Sequence, residues 1–197
     1  MTTAAVAPSA GRPGQVLADL IPASRLRDAT LVLGGAALTG IAAQISVPVP
    51  GSPVPVTGQT FAALLVGTAL GARRGFLSLA LYALVGMAGV PWFAEARSGF
   101  SMPSLGYVLG MMLAAAVVGS LARRGADRSA VRTAGTMVLG SAVIYAVGVP
   151  YLAASTGMSL SAAVAAGLTP FLIGDALKAA LAMGALPLTW KFLNEKR

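Results

Sequence analysis

The chain carries apolar runs that are too long, and too free of charge, for the helices of a water-soluble domain. Residues 29–47, 59–71, 76–90, 104–122 and 133–153 hold no charged side chain at all. An α-helix rises about 1.5 Å per residue, so the longer runs can cross the roughly 30 Å hydrocarbon core of a bilayer. A sixth segment, 168–192, opens on Thr169-Pro170, a capping residue followed by a proline in the first turn. Only 10% of the residues are charged, against roughly a quarter in a soluble domain. The expectation is an all-α integral membrane protein whose six transmembrane helices occupy residues 28–193.

What separates the runs fixes their direction. Residues 48–55 read Pro-Val-Pro-Gly-Ser-Pro-Val-Pro, which forbids a helix and favours an extended loop. A second loop runs from Pro91 to Pro103 and a third over 155–161. Twelve of the 14 basic residues lie in the N-terminal segment, the turns around Arg73–Arg74 and Arg123–Arg132, and the tail from Lys191. Only Arg97 falls in the alternate loops, and Lys178 falls inside a span. By the positive-inside rule both termini and the basic turns are cytoplasmic, which an even number of spans satisfies. The second and third runs are short, so five spans with a re-entrant hairpin form the alternative arrangement. Before the first span, residues 1–14 have the composition of a disordered segment. Residues 16–26 read as an interfacial helix or a solvated linker. Residues 194–197 form a basic cytoplasmic tail.

Several function classes drop out. Cysteine and histidine are absent, which removes disulfides, Cys/His metal sites, catalytic thiols and imidazole bases. No phosphate-binding Gly-x-x-x-x-Gly-Lys-[Ser/Thr] loop, Gly-x-Ser-x-Gly elbow or His-Glu-x-x-His helix is present. The net charge of +8 sits in topogenic clusters without interleaved aromatics, so nucleic acid is not the expected partner; the lipid bilayer is. No metal and no cofactor is expected.

Asp175 and Lys178 carry the strongest functional signal. Three residues apart, they share a face of the last helix inside an otherwise apolar stretch. An ionisable residue at membrane depth costs about 2.5–3.5 kcal/mol on insertion scales, so its presence there points to function. A lysine can hold a carboxylate or carbonyl oxygen, and an aspartate can accept from N–H groups. The structural alternative is an ion pair that fixes helix rotation. Thr57, Gln59 and Thr60 place polar groups at the mouth of the second span. Trp92 and Phe93 are candidate pocket walls or interface anchors. Tyr107 and Tyr145 are candidate ligand hydroxyls, or hydroxyls satisfied by a backbone carbonyl. Small residues recur at Ala36/Gly40, Gly67/Gly71 and Gly106/Gly110, a spacing that suits helix packing within the chain or against a partner.

The chain resembles the BioY family, the biotin-specific substrate-binding (S) subunits of energy-coupling factor (ECF) vitamin transporters. The likeness runs from about Arg27 to Phe192. It rests on Pro48-Val49-Pro50, Ser52 to Thr60, Leu70-Gly71-Ala72-Arg73-Arg74-Gly75, Gly89-Val90-Pro91-Trp92-Phe93-Ala94, Gly106-Tyr107-Val108-Leu109-Gly110 and Gly174-Asp175-Ala176-Leu177-Lys178. It implies a six-helix fold in a bacterial inner membrane, with biotin held near the outer face beneath loops 48–58 and 91–103. Asp175 and Lys178 would contact biotin, and Ala36 and Gly40 would meet a transmembrane coupling subunit. Separate paired ATPase subunits would supply the energy.

The sequence departs from the family pattern in three places, one of them Met102-Pro103-Ser104-Leu105-Gly106, where relatives more often carry Gly-Pro-Thr-Gly-Gly. The third-span loop carries Glu95-Ala96-Arg97-Ser98 where relatives are richer in glycine. The family's ligand-contacting asparagine near the third span has no counterpart, since Asn194 is the sole asparagine; Ser78 or Ser104 would stand in. Two other functions remain: a solitary proton-coupled carrier for biotin or another small carboxylate, working through Asp175, and a structural subunit in which the pair only fixes packing.

Overall fold

The computed structural model describes residues 14–195. The expectations for residues 1–13 and 196–197 lie outside the described residues. After a 3-10 turn at Leu17–Leu20 come α1 (Arg25–Ala43), β1 (Ser46–Val47), β2 (Val56–Thr57), α2 (Gln59–Leu70) and α3 (Ala72–Met87). Then follow α4 (Leu105–Arg123), α5 (Ala130–Thr156), α6 (Leu160–Gly167) and α7 (Leu172–Glu195). Four stretches are long and apolar enough to cross a membrane: Arg25–Ala43, Leu105–Arg123, Ala130–Thr156 and Leu160–Leu193.

The two short runs have a physical reason to be short. At 12 and 16 residues, α2 and α3 fall below the roughly 20 that a full crossing takes. Eight of the residues in α2 are buried, so its ends meet protein rather than lipid. Gly71 joins the two helices at φ 83°, a left-handed turn that a side chain would strain. The central helix α4 packs on α2, α3 and α5. One close backbone approach runs through Gly119, where a methyl group would sit 2.4 Å from the Ala72 nitrogen. Gly67 and Gly110 likewise face backbone of neighbouring helices, so the small-residue spacings there serve packing within the chain.

One end of the bundle is basic and tied together by ion pairs. Within residues 16–26, Leu17–Leu20 form a 3-10 turn, Ile21–Ser24 are exposed, and Arg25 opens α1. Val16 and Ala18 are buried beneath the basic turns, because their apolar side chains find cover there. Asp19 pairs with Arg74 at 3.0 Å and Arg123 at 3.5 Å, and the Gly14 amide donates to the Arg123 carbonyl at 2.8 Å. The far end of α7 docks on the same face. Trp190 Nε1 donates to the fully buried Asp127 carboxylate at 2.6 Å, and the Arg128 guanidinium lies 4.5 Å over the Trp190 ring. Burial pushes the Asp127 carboxyl above the usual carboxylate range, outweighing the Trp190 hydrogen bond and the Arg128 charge.

The last segment differs from the expected single helix. Left-handed Gly157 (φ 71°) ends α5, and Ser159 caps α6 by accepting from the Ala162 amide at 3.2 Å. The expected loop over 155–161 is thus one tight break, followed by a helix that sequence reading left out. The chain kinks again at 168–171, where Pro170 sits in a 3-10 turn (Thr169–Phe171), and α7 starts at Leu172 rather than 168.

Candidate functional site

The proline stretch folds back on itself. Ser46 pairs with Thr57 and Val47 with Val56 in a two-residue antiparallel ladder, and the Gly58 amide donates to the Ile45 carbonyl at 2.9 Å. The ladder delivers Val54, Pro55 and Thr57 over the N-termini of α2, α4 and α7. There they close a cavity of about 30 Å³. Its other walls are Gln59 and Thr60 of α2, Ser104 and Tyr107 at the start of α4, Tyr145 of α5, Phe171, and Asp175 and Lys178 of α7.

Asp175 and Lys178 form the polar floor. Their side chains are 16% and 19% exposed, and Lys178 Nζ donates to Asp175 Oδ1 at 3.3 Å. The lysine also donates to Thr60 Oγ1 at 2.8 Å, and the Tyr145 hydroxyl donates to Asp175 Oδ2. Three helices therefore share one charged knot, in which the carboxylate accepts twice and the ammonium keeps one N–H beyond these two bonds. Gln59 is buried, and its Oε1 accepts from the Tyr82 hydroxyl at 2.7 Å. That bond fixes the orientation of the amide, whose N–H groups donate to no protein acceptor among the described residues. Tyr107 is held differently. Its hydroxyl donates to the Gly167 carbonyl at 2.7 Å, and its ring meets Tyr145 edge-on at 6.4 Å.

Six of the eight expected ligand residues thus meet at one cavity: Thr57, Gln59, Tyr107, Tyr145, Asp175 and Lys178. Trp92 and Phe93 do not. Phe93 is buried against Gly86 of α3, and Trp92 lies on Gly40 of α1 with its Nε1 donating to the Tyr82 carbonyl at 3.0 Å. Gln44 clamps this loop by donating to the Trp92 carbonyl at 3.0 Å and the Phe93 carbonyl at 3.2 Å. The two aromatics therefore lie outside the cavity of Asp175 and Lys178 and fasten the loop to α1 and α3.

Ala36 and Gly40, expected to meet a partner helix, are both covered within the isolated chain. Ala36 is buried and Gly40 lies beneath the Trp92 ring, so neither offers a surface to another helix. The outward face of α1 carries Leu33, Gly34, Ala37 and Ile41. Of the two serines weighed as stand-ins, Ser104 lines the cavity, whereas Ser78 packs against Gly35 and donates to the Arg74 carbonyl at 2.9 Å. Sequence reading missed Phe171, which a tertiary kink rather than any periodicity turns inward. It also missed a larger apolar groove of about 620 Å³ between α5, α6 and α7, which shares Tyr145 and Asp175 with the cavity.

Fold and site together define a multi-pass helical membrane protein with a charged cluster inside its last apolar stretch, set beside a small polar cavity. The family model described as "BioY family" matches residues 15–195, and the chain belongs to that family. A protein named "Probable biotin transporter BioY" from Pyrococcus horikoshii is 35% identical over 162 residues, covering 81% of this chain and 93% of its own. The "Biotin transporter BioY2" of Lactococcus lactis subsp. cremoris is 32% identical over 161 residues, with 80% and 87% coverage. Among solved structures, the S-component for biotin from an ECF-type ABC transporter superposes with a TM-score of 0.76 at 20% identity. It covers 86% of this chain and 95% of that one, a likeness of fold.

Proposed function

We propose that this chain is the biotin-capturing S subunit of an ECF transporter, with six spans in a bacterial inner membrane and both termini in the cytoplasm. It is no enzyme in this reading. A coupling subunit and paired ATPase subunits supply the work, and the outward face of α1 is the surface open to the coupling subunit. The carrying observation is the charged knot of Lys178, Asp175, Thr60 and Tyr145 on the cavity floor. Biotin presents two ureido N–H donors, a carbonyl, a carboxylate and an apolar remainder. Asp175 and the hydroxyls offer acceptors, Lys178 and Gln59 offer donors, and Val54, Phe171 and Tyr107 offer apolar wall.

The cavity of about 30 Å³ has the volume of roughly one water molecule, so capture requires it to widen. The hairpin is the wall that gives, because a two-residue ladder and one further backbone bond hold its base. Opening toward the 620 Å³ groove behind Asp175 is the other direction of growth.

The test is calorimetric titration of biotin into the detergent-purified chain, stripped of copurified ligand, beside Lys178→Ala and Asp175→Ala. Stoichiometric binding lost in either folded variant supports the reading. No binding by the folded wild type sinks it.

A further inference from the structure

At the basic end of the bundle, on the opposite side of the fold from the ligand cavity, a cleft of about 720 Å³ opens between the starts of α1 and α3. Four arginines line it, Arg25, Arg73, Arg74 and Arg123, against the single carboxylate of Asp28. Part of this charge is already matched. Arg74 pairs with Asp19 at 3.0 Å and with Asp28 at 3.1 Å. Arg27 also claims Asp28, at 2.6 Å, and Arg123 reaches Asp19 at 3.5 Å. Two carboxylates are therefore shared among three guanidiniums. Arg25 and Arg73 are exposed and have no acceptor among the described residues.

The remaining walls are apolar. Ala29 and Val32 continue the Arg25 face of α1 by one and two turns, and Leu77, exposed on α3, lies one turn beyond Arg73. Positive charge at the helix ends thus gives way directly to hydrocarbon surface along the same two helices. A soluble anion would use the arginines and leave the apolar walls bare. A phospholipid uses both, its phosphate at the guanidiniums and its acyl chains along Val32 and Leu77. Basic pockets between spans are a recurrent form of headgroup site, and guanidinium forks suit phosphate oxygens.

We infer that this cleft is a binding site for an anionic phospholipid, with Arg25 and Arg73 as its headgroup ligands and the ion-paired Arg74 and Arg123 as its fixed positive background. The site is independent of biotin capture. It would seat the basic end of the subunit against the anionic leaflet.

The experiment is native mass spectrometry of the full chain, released from micelles doped with phosphatidylglycerol or phosphatidylcholine, with inorganic phosphate as a third arm. The expected result is one retained phosphatidylglycerol, little phosphatidylcholine, and no equivalent retention of phosphate. Each basic residue near a lipid surface is worth about fivefold in affinity, so Arg25→Gln/Arg73→Gln should weaken retention about thirtyfold. Arg25→Lys/Arg73→Lys should restore most of it. Neither arginine has an acceptor among the described residues, so unchanged gel-filtration and thermal-unfolding profiles in neutral lipid confirm the fold of each variant. Equal retention of the two lipids, or an unchanged double glutamine variant, overturns the proposal. So does retention of inorganic phosphate equal to that of phosphatidylglycerol.

Discussion

Lys178 and Thr60, 118 residues apart in the chain, meet at 2.8 Å across α7 and α2, closer than the 3.3 Å between Lys178 and Asp175. The threonine hydroxyl therefore sets where the ammonium points. Thr60→Val keeps the shape of the side chain and removes that acceptor. A hydrogen bond to a charged group contributes about 1.5–3 kcal/mol, and partial exposure brings the expected loss to the lower end. Biotin affinity, measured by calorimetry, should fall about tenfold in Thr60→Val and stay near wild type in Thr60→Ser. Unchanged affinity in the valine variant would mean that the lysine is placed by Asp175 alone.

Tyr107 separates a ligand hydroxyl from an anchoring one. Its O–H reaches the Gly167 carbonyl at 2.7 Å and thereby ties α4 to the end of α6. Tyr107→Phe leaves a buried carbonyl unpaired, at a cost of about 1–3 kcal/mol. Thermal unfolding should shift down by several degrees with little change in biotin affinity. The reverse pattern, intact stability and lost affinity, would return the hydroxyl to the ligand.

These two residues show what the sequence could and could not tell. The charges of Asp175 and Lys178 stand out in an apolar run, and helical spacing alone puts them on one face. Proline chemistry likewise announces a loop at 48–55. Nothing local says that Thr60, rather than Thr57, lies under the lysine, because that depends on how α7 rotates against α2. Trp92 and Phe93 have the composition of a pocket wall, but their destination is set by the notches at Gly40 and Gly86, which only the packed helices create. The break at 168–171 was also illegible, since Thr169-Pro170 starts a helix equally well with or without a 3-10 turn before it.

The loop after α3 stores strain at two residues that carry side chains. Glu95 and Ala96 adopt φ of 60° and 54°, in the left-handed region, which costs a side-chain-bearing residue about 1–2 kcal/mol. Glu95 is partly compensated by its 2.9 Å ion pair with Arg97. Ala96→Gly should therefore stabilise the protein by about 1 kcal/mol, less the entropy glycine gains in the unfolded chain. A thermal midpoint at or below that of the wild type would show that the strain is not released.

Asp127 gives stability a pH dependence of defined sign. Its folded pKa lies above 3.8 because burial disfavours the charged form. Between those two values the folded state binds more protons, so this group makes stability fall as pH rises through the window and level off above it. Asp127→Asn removes the titration and keeps an acceptor for Trp190. Thermal midpoints from about pH 4 to about pH 7 should decline for the wild type relative to the variant. Parallel curves would show that Asp127 is not the source.

Gly40 decides between packing and partner contact on α1. A methyl group there would come within 3.0 Å of Trp92 Cε3. The ring cannot retreat freely, since its Nε1 is bonded to the Tyr82 carbonyl at 3.0 Å and Gln44 holds its backbone carbonyl at 3.0 Å. Gly40→Leu therefore overpacks the joint, at a cost of about 1–3 kcal/mol, and loosens the 91–103 loop in the isolated chain. The measurement is proteolysis of that loop together with the thermal midpoint, with no other subunit present. If Gly40 instead served only a partner helix, the isolated variant would match the wild type, and the defect would surface only on assembly. The outward face offers the complementary test. Ala37→Trp on α1, where the helix is exposed, should leave the isolated chain intact and impair association with a coupling subunit.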